Sequence, residues 1–264
     1  MSEITCNNPD INIEKSIQKQ LLSLFQKWKT EHTNDTSTSY PCPDSMKDDE
    51  EFKSSFIPDG YVDINKYYDK SNTKVLFLLK EAGLSEKKKN LRVGIDTPLE
   101  CYMDDHWYKH IINKVDRDNY KADNYLNKFI IMCEVIGVNP DQTAHMNINK
   151  RGGGGSSKDK KLIGYINIFK NYINAEIKIL NPDIIIACIG PNKNKIKNIL
   201  FTDITPFDFN IDNHICHLYT GTYTYGSRKI PVYGMYHPGT LGWAKNNNNY
   251  KKIFEELYTK YQRT

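Results

Sequence analysis

Apolar residues recur along this chain in two rhythms, and the switches between them outline its elements. Ile13, Ile17, Leu21, Leu22, Leu24, Phe25 and Trp28 return every three or four positions, which predicts an amphipathic helix over residues 13–30. A polar stretch from Thr30 to Asp48, with Pro41 and Pro43, reads as a long loop. Lys74-Val75-Leu76-Phe77-Leu78-Leu79 is a short run that is apolar on both faces, the pattern of a strand buried within a sheet. Helical spacing returns around 105–116 and 122–136, a second strand is predicted at 142–148, and residues 160–180 form a helix with a broad apolar face. Asp183 to Gly190 is the clearest buried strand. A short helix at 192–200, β-prone pieces over 214–236 ending in the strand Ile230 to Tyr236, and a helix over 247–262 complete the order.

Strands that alternate with helices imply βαβ units. The expected fold is α/β, a three-layer αβα sandwich around a central, mostly parallel four-stranded sheet. Residues 1–70 are expected to form an N-terminal helical extension packed on a main domain of residues 71–264. In such sheets ligands bind beyond the carboxyl ends of the strands. That rule selects Lys80 to Ser85, Asn147 to Lys158, Gly190 to Lys195 and His237 to Trp243.

Composition narrows the class. The chain has 264 residues, of which 39% are hydrophobic and 26% charged, which excludes fibrous and wholly disordered proteins. No apolar run is long enough to span a membrane, and Met1 to Ile13 lacks the basic start and apolar stretch of a secretory signal. A cytoplasmic, nucleoid-associated monomer is expected. The six cysteines lie far apart with no CxxC pair, so neither a metal nor any other cofactor is expected, and Cys133 and Cys188 read as buried thiols. Net charge is only +4. Its placement is more telling, because basic residues gather in Lys80 to Lys89, Lys150 to Lys161 and Lys193 to Lys197. These clusters belong to the loops at the carboxyl edge, so that edge is expected to be electropositive and DNA is the expected partner.

Four positions there carry candidate chemistry. Glu81 can hold a water, act as a base or offset a developing cation; pairing with Lys80 or capping a helix is the plain alternative. Asn147 offers one acceptor and two donors, which match the O4/N3 edge of a pyrimidine, although a turn-forming asparagine explains it too. His145 reads as a core residue. Arg151-Gly152-Gly153-Gly154-Gly155-Ser156-Ser157-Lys158 lets backbone approach a phosphate but lacks the pattern of a nucleotide-binding P-loop. His237-Pro238-Gly239-Thr240-Leu241-Gly242-Trp243 sets a histidine at a strand end and apolar side chains on a turn, suited to a hydrogen-bond donor and a base-stacking wedge or, more plainly, to loop anchors.

In order and spacing these segments resemble the uracil-DNA glycosylase superfamily. Lys80-Glu81-Ala82-Gly83-Leu84 stands where one branch reads Gly-Glu-Ala-Pro-Gly. Asn147 matches the base-reading asparagine, Pro182 to Gly190 is similar to the Pro-x-Ile-Ile-x-x-Gly strand, and His237-Pro238-Gly239 is similar to the His-Pro-Ser loop. Leu241 aligns with the intercalating leucine. The likeness covers about residues 72–260. Lys80, Gly83 and Gly239 depart from the usual Gly, Pro and Ser, and the cysteine spacing of an iron–sulfur cluster is absent. Leu84 replaces a tyrosine that excludes a 5-methyl group, so a 5-substituted pyrimidine is expected to fit as readily as uracil.

The resemblance implies a monofunctional DNA glycosylase that flips out uracil or a modified pyrimidine and leaves an abasic site, in repair or in defence against foreign modified DNA. Glu81 and His237 would be catalytic. Asn147, Ala82 and Gly83 would bind the base. Lys80, Lys150, Arg151, Gly152, Ser156, Ser157, Lys158 and Leu241 would contact DNA. A non-catalytic reader of modified bases and a small-nucleotide hydrolase are the competing expectations.

Overall fold

A computed structural model describes residues 9–34, 56–83, 125–153, 159–190, 194–238 and 246–262. In chain order the described elements are α1 (Pro9–Asn34), β1 (Gly60–Tyr61), α2 (Ile64–Tyr68), β2 (Val75–Gly83), α3 (Tyr125–Ile136), β3 (Thr143–Gly153), α4 (Asp159–Leu180), β4 (Ile184–Ala187), α5 (Asn194–Leu200), β5 (Thr202–Ile211), β6 (His214–Tyr225), β7 (Arg228–Gly234) and α6 (Asn247–Gln262). A single turn of 3-10 helix, Pro140–Gln142, leads into β3. The helix expected at 105–116 lies outside the described residues.

The strands form one sheet in the order β1-β3-β2-β4-β7-β6-β5. Contiguous strands β3, β2, β4 and β7 run parallel, and β1, β6 and β5 join antiparallel. The class is α/β, but the sheet has seven strands where the sequence pattern implied four. The extra strands come from both ends. Gly60 and Tyr61 pair with β3, so the segment before Val75 joins the sheet directly.

Central strands are apolar on both faces because both faces are covered. Leu76, Leu78, Ile185 and Ala187 pack with Leu21, Phe25 and Trp28 of α1 and with Tyr165, Phe169 and Ile173 of α4. The alternate residues Val75, Phe77, Leu79, Ile186 and Cys188 pack with Phe129 and Met132 of α3 and with Ile253, Phe254 and Leu257 of α6. Cys133 and Cys188 are buried, as their apolar surroundings in the sequence predict, and burial pushes the Cys133 thiol up to about 12. His145 is buried against the rings of Phe77 and Phe129, a core residue.

Element ends follow local chemistry. Gly137, at φ 82, stops α3 and donates its N–H to the Cys133 carbonyl at 2.9 Å. Asn181, at φ 47, stops α4 immediately before Pro182. Asp212 and Asn213 both have positive φ, the geometry of a tight hairpin turn between β5 and β6.

Candidate functional site at the carboxyl edge of the sheet

Parallel pairing sets the heights of the candidate residues. Leu78 lies level with Met146 and Ala187, and Ala187 lies level with Gly234. Asn147 is therefore one residue beyond that level on β3. Glu81 is three beyond on β2, and His237 three beyond the end of β7. All three backbones meet at one edge of the sheet, spread over strands β3, β2 and β7 with β4 between the last two. At about 4.8 Å per strand, β3 and β7 stand roughly 14 Å apart.

β2 and β3 run further than the apolar pattern implies. β2 continues through Glu81, which pairs with Asn149, to Gly83, which pairs with Gly153 across an irregularity between Glu81 and Gly83. Glu81, Ala82, Arg151 and Gly152 are thus in strands rather than in loops after them, and Asn147 lies inside β3 rather than at its end. Ser156, Ser157, Lys158 and Leu241 lie outside the described residues.

His237 sits in a positive environment. Its imidazole is pushed down to about 4, first by burial and then by the charges of Lys80 and Lys128, so it is neutral at physiological pH. Lys128 comes from α3 and is 1% exposed. Its ammonium donates to the Pro238 carbonyl at 2.8 Å and lies over the Tyr250 ring, 5.0 Å from the centroid. Tyr250 of α6 donates its hydroxyl to the Tyr236 carbonyl at 3.0 Å. Two helices on one face of the sheet thereby hold the backbone on either side of His237. Lys80, one residue before Glu81, likewise lies within β2 rather than in a loop after it.

Asn147 is 5% exposed. Its backbone N–H and its Nδ2 both donate to Oδ2 of Asp59, at 2.5 and 3.0 Å.

Lys150 corrects an expectation. A contact to DNA requires an accessible ammonium, and Lys150 is 0% exposed. Its Nζ pairs with Asp59 Oδ1 and with Glu176 Oε2, the latter at 2.7 Å. The rings of Trp28 and Phe25 lie 5.1 and 5.4 Å away. β-alternation explains the inward turn: Met146, Ile148 and Lys150 share the face that packs on α1 and α4. Lys197, from another basic cluster, is also buried, with its ammonium 4.8 Å from the centre of the Tyr219 ring. Neither ammonium is exposed for a contact to a partner.

Asp59, Lys128 and Tyr250 were not singled out by the sequence. Nothing local marks them, since each acts on a residue remote in the chain. Among the described residues no group of three or more His, Cys, Asp or Glu is placed to hold a metal ion, and no helix is long and apolar enough to cross a membrane. A scan of protein-family models finds no match to this chain, and a search of the curated proteins finds none either.

Proposed function

We propose that the chain is a monofunctional DNA glycosylase acting on uracil or a 5-substituted pyrimidine, built on a three-layer αβα core. The observation that carries this reading is His237, a neutral imidazole beside two ammonium groups at the sheet edge that also holds Asn147 and the backbone of Glu81. Breaking the C1′–N1 bond leaves its electron pair on the base, and the charge settles largely on the O2 and O4 oxygens. Burial is the main cause that keeps a proton off His237, and the field of Lys80 and Lys128, which adds to it, also favours an anion at that place. A neutral imidazole can then donate its N–H to O2 without losing a proton, which is electrostatic stabilisation of the leaving group.

Asn147 reads the O4/N3 edge of the extruded base. Glu81 offsets the positive charge that grows on the sugar and positions the water whose oxygen adds to C1′ and whose proton passes to the departed base anion. Phosphates are held at the edge by Lys80 and the glycine-rich segment, largely without regard to sequence. Unstacking costs a few kcal/mol, to which Leu241 responds by filling the gap.

The test is incubation of the full chain with duplexes carrying uracil, 5-substituted uracils, thymine, cytosine or hypoxanthine, followed by alkali to cleave at abasic sites. Release of one or more of the uracil-type bases is expected. His237→Ala should lower that release by about 100- to 1,000-fold while leaving duplex binding in place. Binding of modified duplexes with no release from any of them would point instead to a reader of bases.

A further inference from the structure

A carboxylate from the segment before Val75 reaches the candidate site. Asp59 precedes β1 and is 2% exposed. Its Oδ2 accepts both the backbone N–H of Asn147 at 2.5 Å and the side-chain Nδ2 of the same residue at 3.0 Å. Its Oδ1 is taken by Lys150, which is itself held by Glu176 at 2.7 Å. Asp59 is therefore fixed from one side and fixes Asn147 on the other.

The consequence follows from the chemistry of an amide. Turning the Asn147 side chain by half a rotation exchanges its oxygen and its NH2 group. Oδ2 of Asp59 already acts as acceptor to the backbone N–H of Asn147, so the contact admits the orientation in which Nδ2 faces Oδ2. The reverse would set the amide oxygen against a buried carboxylate oxygen. One N–H of the amide is thereby committed, and the amide oxygen and the second N–H form the edge that remains for a ligand.

We propose that Asp59 is a positioning residue of this site, which locks the amide of Asn147 so that it complements a 4-oxo pyrimidine and rejects a 4-amino one. A 4-oxo pyrimidine offers a donor at N3 and an acceptor at O4, the match for an oxygen beside an N–H. A 4-amino pyrimidine offers the inverse pattern and would need the amide reversed. The N-terminal segment thus contributes selectivity through a residue that does not touch the base. This inference rests on the glycosylase reading.

The experiment compares single-turnover release of uracil and cytosine, and of their 5-hydroxymethyl forms, from otherwise identical duplexes by the full chain. The parent is expected to favour the 4-oxo base by roughly 100-fold or more, because the wrong base leaves buried polar groups unmatched. In D59N the new amide can donate as well as accept, so both orientations of Asn147 become accessible and the ratio should fall by about tenfold or more. E176Q disturbs the same buried cluster without touching Asn147 and should keep the parental ratio.

D59N leaves the Lys150 ammonium paired with Glu176, and D59A, in which no carboxylate opposes the reversed amide, is measured beside it. A parental ratio in either Asp59 variant, or an equal fall in E176Q, would reduce Asp59 to a structural role and overturn the proposal. So would a parent chain that releases 4-amino and 4-oxo bases equally fast, a result that needs no variant. A parent that releases no base from any duplex is a different result, and it removes the glycosylase reading itself.

Discussion

His237 is the group whose protonation state decides what the edge can do. An ordinary imidazole would gain a proton near pH 6.5, whereas burial and the charges of Lys80 and Lys128 hold this one down at about 4. A reaction that needs neutral His237 should therefore keep its rate well below pH 6.5 on the acid side. Lys128→Met removes one of the two cations, which lets the imidazole rise toward its usual value. The acid limb of the pH–rate profile should move upward in that variant, with little change in the alkaline limb. An unmoved acid limb in a folded Lys128→Met protein would show that this ammonium does not act on His237. The stability sign runs the same way. Between pH 6.5 and about 4 the unfolded chain binds the extra proton, so this group's contribution is present above 6.5 and is lost as pH falls through the folded value.

Strand β7 delivers His237, and its last residue shows how little freedom that delivery has. Gly234 pairs with Tyr219 of β6, and a Cβ built on Gly234 would stand 2.0 Å from carbons of the Tyr219 ring. Only glycine leaves room for a ring laid flat on the backbone there. Gly234→Ala should cost about 1–3 kcal/mol, the usual range for overpacking, as read by urea unfolding. The same change in a Tyr219→Ala background should cost clearly less, since the obstructing ring is gone, and equal costs would refute the clash. Much of this architecture was legible beforehand. Val75 to Leu79 and Ile184 to Ala187 are strands covered on both faces, and such strands declare themselves as unbroken apolar runs. β5 did not, because Asp203, Thr205, Pro206, Asp208 and Asn210 are exposed along an edge strand and mask the spacing of Phe207 and Phe209. β2 and β3 were read too short for a related reason. Their ends, at Glu81 and at Lys150 to Gly153, carry residue types that punctuate sequences elsewhere. The shared edge of His237, Asn147 and Glu81 was legible because apolar runs fix the direction of the parallel strands, even with the ends of β2 and β3 misplaced, whereas Asp59 and Lys128 act across 88 and 110 residues of chain.

The cluster of Asp59, Lys150 and Glu176 draws four parts of the chain to one buried point: the approach to β1, strand β3, helix α4 and, through Trp28 and Phe25, helix α1. Two carboxylates share one ammonium, so removing the cation leaves two buried acids without a counter-charge. Lys150→Met should accordingly lower stability by about 3–5 kcal/mol. The cluster also has a pH signature. Burial, followed by the nearby Asp59 charge, raises Glu176 well above its ordinary value of 4.5, against the opposing pull of Lys150. Between pH 4.5 and that raised value the native state holds a proton that the unfolded chain has released. Stability therefore falls as pH rises through this window, the reverse of the slope that His237 contributes. Glu176→Gln lacks the titration but retains His237, so subtracting its unfolding free energy from that of the parent isolates Glu176. Measured by urea unfolding in steps upward from pH 4.5, that difference should decline and then level once the carboxyl is ionised in both states. A difference that stays flat over the whole range would mean that Lys150 holds Glu176 ionised throughout, and that attraction to the ammonium outweighs desolvation in this core.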